Sequence, residues 1–143
     1  MMGDEDIKQK VAGLVRRHQT RDPFKLAQAL GILYQSGNSL YDGQYIYLKK
    51  HRYIFLSDRL SDAALIVVMA HELGHAVLDQ KNNSYFIRSK TFLLNSRIER
   101  RANLFAAYLL ITDEMLTEYA GCTISQFSAC IGVPEELVKL RIG

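Results

Sequence analysis

His71-Glu72-Leu73-Gly74-His75 sets two imidazoles four residues apart with a carboxylate beside the first. On a helix, positions i and i+4 lie one above the other, so both rings reach one point in space. Two imidazoles so placed can grip one Zn²⁺, and Glu72 projects from the neighbouring position toward a water polarised by the metal. The pattern therefore offers two ligands and a general base. The run before it, Ala63 to Ala70, is apolar on every side, which predicts a deeply buried helix. Continuing such a helix with two histidines and a glutamate is costly unless something satisfies them, and a metal does so.

Catalytic zinc usually takes three protein ligands and keeps one position open. Glu99 is the better candidate for the third, and Asp79 is its rival. Glu99 lies 24 residues past His75, enough for a loop and an antiparallel return. It falls at helical spacing from Ala102 and Ala106, at the upstream end of an apolar stripe that continues through Phe105 and Leu109. A carboxylate on a buried face needs a reason. Ala102 is small enough to let two helices approach at the metal, and Arg100 and Arg101 read as surface residues. Asn103, four residues after Glu99, shares its face and could accept the free ring N–H of His71, the support that zinc-bound histidines usually have. Asp79 follows His75 on the same helix, an awkward direction for a third ligand, and reads better as a helix-end contact.

The surrounding elements follow from punctuation and periodicity. Residues 4 to 18 predict a first helix with Ile7, Val11, Leu14 and Val15 as its stripe. Asp22-Pro23 caps and opens a second helix that stops at Gly31. Three β-prone runs follow, Ile32 to Gln35, Gln44 to Leu48 and Tyr53 to Leu56, with turn signals at Gly37-Asn38 and Asp42-Gly43. Ser61 or Asp62 caps the motif helix, polar residues from Gln80 to Ser84 end it, and a loop runs on to Lys90. A second strong helix spans about Asn95 to Leu110. Three shorter helices complete the chain, opening at Thr112, at a Thr123/Gln126 capping box and at Pro134. The expectation is an α+β fold: one mostly helical domain over residues 1–143, with a sheet of about three strands packed on the motif helix.

The whole composition is compatible with this. A chain of 143 residues, 48% hydrophobic and 23% charged, can bury a genuine core. A net charge of +3 and a pI near 8.9 neither demand nor exclude an acidic partner. The basic residues are scattered, apart from Lys49-Lys50-His51-Arg52 and the group of Arg97, Arg100 and Arg101. Cys122 and Cys130 lie outside any CxxC pattern and are expected to be core thiols. There is no secretory signal at the start and no membrane-length apolar run, so a cytoplasmic protein with no membrane partner is expected.

HELGH followed by Glu99-x-x-Ala102-Asn103-x-Phe105-Ala106-Ala107 resembles the ImmA/IrrE-type metallopeptidases, small zinc enzymes of the gluzincin kind from bacteria, phages and mobile elements. The resemblance covers roughly residues 20 to 140. It implies a zincin-like fold, Zn²⁺ as cofactor, His71, His75 and Glu99 as ligands, Glu72 as catalytic base and Asn103 as support for a ligand histidine. It also implies a substrate, a helix-turn-helix transcriptional repressor of a mobile element, phage or stress regulon. The chain departs from the family where Leu109-Leu110 is followed by Ile111-Thr112 in place of an early proline.

In such a reaction the developing oxyanion needs a donor. Tyr85, Tyr108, His51 and Arg97 qualify by type, and Tyr85, in the loop after the motif helix, has the best placement. The substrate would lie as an added strand on the edge of the sheet. The rival readings are a zinc-binding DNA regulator and a repressor-binding protein without hydrolytic activity. Residues 123 to 141 have a helix-turn-helix rhythm, but the second helix starts Glu135-Glu136, which phosphates would repel, so direct nucleic-acid contact is not expected.

Overall fold

The computed structural model describes residues 2–86 and 96–143. Two helices come first, α1 (Asp4–His18) and α2 (Pro23–Ala29), followed by strands β1 (Leu33–Gly37), β2 (Gly43–Leu48) and β3 (His51–Ser57). Then come helix α3 (Asp62–Leu78), strand β4 (Ser84–Phe86) and helices α4 (Arg97–Leu110), α5 (Asp113–Glu118), α6 (Ile124–Ile131) and α7 (Glu135–Ile142). The α+β expectation holds, with one more strand than the sequence suggested.

Helix starts are set by short side chains that satisfy free N–H groups. Asp22 accepts from Phe24 N–H at 2.9 Å with Pro23 in the first turn, Ser61 accepts from Ala64 N–H at 3.2 Å, and Thr123 and Gln126 form a capping box. Ser96 caps α4, so that helix begins at Arg97; the start expected near Asn95 lies outside the described residues, as does the loop from 87 to 90.

The sheet order is β1-β3-β2-β4. β1 runs parallel to β3, and the other two pairings are antiparallel. The β2–β3 hairpin closes on two residues, Lys49 and Lys50, with φ of +50° and +65°. Two-residue hairpins require such left-handed backbone, which Asn-Gly adopts readily and lysine does not. The expected turn signals fall in the wider β1–β2 connection instead. Strand β4, read from sequence as loop, pairs Ser84 with Tyr45 and Gly43 with Phe86. It covers one edge of the three-stranded sheet expected from sequence, that of β2, and Asn83 Oδ1 accepts the next outward N–H, that of Tyr47, at 2.8 Å.

Helix α3 is the middle layer. The sheet packs on one side of it, α4 on the other, with α1 and α7 against α4. Its first turns are more open than the apolar run implied, since Ile66 is 43% exposed; from Val67 to Ala76 every residue is buried. The close α3–α4 contact rests on two small residues. A Cβ on Gly74 would stand 3.1 Å from the Ala102 backbone and 3.0 Å from Phe105 Cβ. Gly74→Ala must therefore part the helices or strain them, and should lower stability by about 1–3 kcal/mol. Urea unfolding measures this, and parent-like stability would contradict the contact.

Cys122 and Cys130 are free and exposed, against the expectation of core thiols. The buried side of α6 is taken by Phe127; Cys130 lies on the exposed side of that helix and Cys122 just before its cap, Thr123. Among the described residues no helix is long and apolar enough to cross a membrane.

Candidate metal centre

The fold brings His71, His75 and Glu99 to one point. His71 Nε2 lies 2.9 Å from Glu99 Oε2, His75 Nε2 lies 3.1 Å from Glu99 Oε1, and the two Nε2 atoms are 3.1 Å apart. All three residues are buried. In a tetrahedral zinc site with bonds of about 2.0–2.1 Å, ligand atoms stand roughly 3.3 Å apart. The observed triangle is slightly tighter and opens to that size with small side-chain shifts. Among the described residues this is the one cluster of metal-ligating groups with such spacing.

The donor chemistry also fits a cation. Asn103 Oδ1 lies 2.7 Å from His71 Nδ1, so the ring donates there and its Nε2 carries the lone pair. Burial, only partly offset by Glu99, lowers the His71 pKa, so the ring is neutral. Burial alone would raise the Glu99 pKa, and only positive charge shared with the two rings brings it down, to about 2 when they carry protons toward it. A lone pair thus faces a carboxylate across 2.9 Å, an arrangement that a shared cation relieves. Asn103→Ala should lower zinc affinity by about 10–100-fold, the usual effect of removing such a support. Competition with a chromophoric chelator reads this directly, and unchanged affinity would show that Asn103 does not orient the ring.

Glu72 sits between α3 and the β2/β4 pair. Its Oε1 accepts from Ser84 Oγ at 3.4 Å, and its buried Oε2 has no hydrogen-bond partner among the described residues. A Cβ on Gly43 would come within 3.2 Å of Oε2, so bare backbone roofs the carboxyl. Burial first, then the charge of Glu99, push the Glu72 pKa well up, while the Ser84 hydrogen bond opposes them. Neither Ser84 nor Gly43 was visible as a site residue in the sequence, because both reach Glu72 only through strand pairing.

The other candidates separate. Asp79 is the C-cap of α3 and faces Arg101, whose Nε donates to it at 3.1 Å. Arg101 is thus no free surface charge: it clamps the end of α3 to α4, one turn from the ligands. Arg100 pairs with Asp4 on α1. Tyr108 lies nine residues along α4 from Glu99, beneath the Arg141 guanidinium at 4.9 Å. His51 opens β3 at the far end of the sheet from Gly43, and Arg97 is exposed at the start of α4. The backbone of Tyr85 lies in β4, paired with Gln44 and next to Ser84, and not in a loop.

Residues 27–142, from within α2 almost to the C-terminus, match the model of the peptidase family described as the IrrE N-terminal-like domain. The chain belongs to this family. The match spans both helices that carry the IrrE-like site, and the resemblance seen in HELGH and Glu-x-x-Ala-Asn therefore holds. "Metallopeptidase ImmA" of Bacillus subtilis (strain 168) is 31% identical over 150 residues, covering 95% of this chain and 83% of that protein. "Uncharacterized immunity region protein 2" of Bacillus phage phi105 is 32% identical over 139 residues, covering 94% and 88%. Membership of the IrrE-like family makes this a metallopeptidase by kinship, with a protein substrate as the class of its target.

Proposed function

We propose that this protein is a zinc-dependent endopeptidase that cleaves a helix-turn-helix repressor. The observation that carries the reading is the convergence of His71, His75 and Glu99 next to a Glu72 oxygen with no described partner. His71, His75 and Glu99 hold the ion, and Asn103 keeps His71 Nε2 turned toward it. When bound, zinc supplies a Lewis acid that polarises a peptide carbonyl and makes water more acidic. Glu72 takes the proton of the attacking water on Oε2 and returns it to the leaving amine. Ser84 steadies Oε1 meanwhile, and Gly43 keeps the carboxyl covered. Tyr85, beside Ser84 in the chain, is the proposed donor to the oxyanion.

The repressor as substrate is supported by kinship with a phage immunity-region protein and with ImmA, and rests on no residue of this chain. The DNA-regulator reading loses ground on α7. Glu135 and Glu136 are exposed at its start, while Arg141 donates to Ile111 O at 2.7 Å and pairs with Asp113. The test is incubation of the zinc-loaded protein with the small helix-turn-helix repressors encoded beside its reading frame. Cleavage at a single site, stopped by a chelator and restored by zinc, is expected. Repressors that stay intact while the protein binds zinc stoichiometrically would contradict the substrate assignment.

A further inference from the structure

The outer face of the sheet has no covering element among the described residues. Alternation and register put Leu33, Tyr53 and Ile46 in one row across β1, β3 and β2 on that face. Leu33 is 55% exposed, Phe55 38% and Leu48 56%. Large apolar side chains gathered on one open face mark an interaction surface more often than isolated ones do.

The hairpin tip beside this face is basic and strained. Lys49 and Lys50 both hold left-handed backbone, the conformation for which Asn-Gly is the easy choice. Both are exposed, and neither has an ion-pair partner among the described residues. The fourth member of the basic run, Arg52, turns inward and donates to Leu30 O and Ala76 O, so it belongs to the frame. A turn that keeps two unpaired lysines against its backbone preference gives up stability for charge at that place.

We propose that this face is a docking surface for an acidic amphipathic helix of a partner protein, its apolar side on Leu33, Tyr53 and Phe55 and its carboxylates toward Lys49 and Lys50. Charge complementarity selects this occupant. A second copy of the chain would bring a like-charged tip to the same apolar face. Two lysines are too few to track a phosphate backbone. The surface stands apart from the candidate metal centre: β2 covers Glu72 at Gly43 and reaches the tip five residues on, about 17 Å at strand rise.

The probe is a labelled amphipathic peptide with one leucine face and one glutamate face, titrated into the full chain by fluorescence anisotropy. Lys49→Asn/Lys50→Gly should raise the Tm, because it relieves the turn, yet weaken peptide binding by about tenfold or more. Leu33→Ser/Phe55→Ser should weaken it similarly. Lys49→Glu/Lys50→Glu should lose the glutamate peptide and gain its lysine counterpart. Circular dichroism checks that each variant is folded. No binding of the glutamate peptide, equal binding by all folded variants, or a stronger response to anionic phospholipid vesicles, oligo(dT) or self-association through the same residues would overturn the proposal. None of these readouts depends on peptide hydrolysis.

Discussion

Glu72→Gln protein will bind one zinc per chain as the parent does and cleave its substrate about 10²–10⁴-fold more slowly, the range that a positioned general base supplies. The amide keeps the volume of the carboxylate and its contact with Ser84, and His71, His75 and Glu99 are untouched. What it loses is the capacity to take a proton on the atom now occupied by Oε2. The substitution should not destabilise the fold. Glu72 is fully buried with its pKa pushed well up by burial and by the charge of Glu99, so a neutral side chain is the easier one to hold there. A Tm equal to or above the parent's, with intact zinc binding and lost cleavage, is the expected combination. Near-parental cleavage would remove Glu72 from the reaction.

The second large effect is on the metal. Glu99→Ala should weaken zinc binding by more than about 100-fold, beyond what the loss of a supporting residue does. Glu99 contributes the only negative charge to the triangle and approaches both histidines, at 2.9 and 3.1 Å. Asp79→Ala is the matched control. That carboxylate faces Arg101 instead, and its loss should lower stability through the α3–α4 clamp while leaving one zinc per chain. Competition titrations on the two variants decide between the carboxylates. If Glu99→Ala binds as tightly as the parent, the ligand set is wrong.

The parts legible in the sequence are those carried by local rules. Helical spacing put His71 above His75 and Glu99 in line with Ala102, and the caps at Asp22, Ser61, Thr112 and Thr123 marked helix starts that the structure has. What could not be read depends on which distant segments pair. Strand β4 is three residues after a polar run, and only its partner β2 makes it a strand. Ser84 and Gly43 meet Glu72 through that pairing alone. The hairpin at Lys49-Lys50 carries no turn dipeptide, so local chemistry argued against the turn that the sheet imposes. Arg101 reads as a surface charge and Arg52 as one more member of a basic run, because their partners, Asp79 and the carbonyls of Leu30 and Ala76, are neighbours only after folding. The cysteines defeat the expectation for the converse reason: a residue type that is usually buried stands at Cys130 on a short helix whose one buried position belongs to Phe127, and at Cys122 in the exposed turn before it.

X-ray absorption spectroscopy of the zinc-loaded chain tests the central assignment most directly. One zinc per chain is expected, with two imidazole nitrogens and carboxylate or water oxygens at about 2.0–2.2 Å and no sulfur. Sulfur neighbours at about 2.3 Å would move the metal to Cys122 or Cys130, and a spectrum without paired imidazoles would contradict the site built by His71, His75 and Glu99.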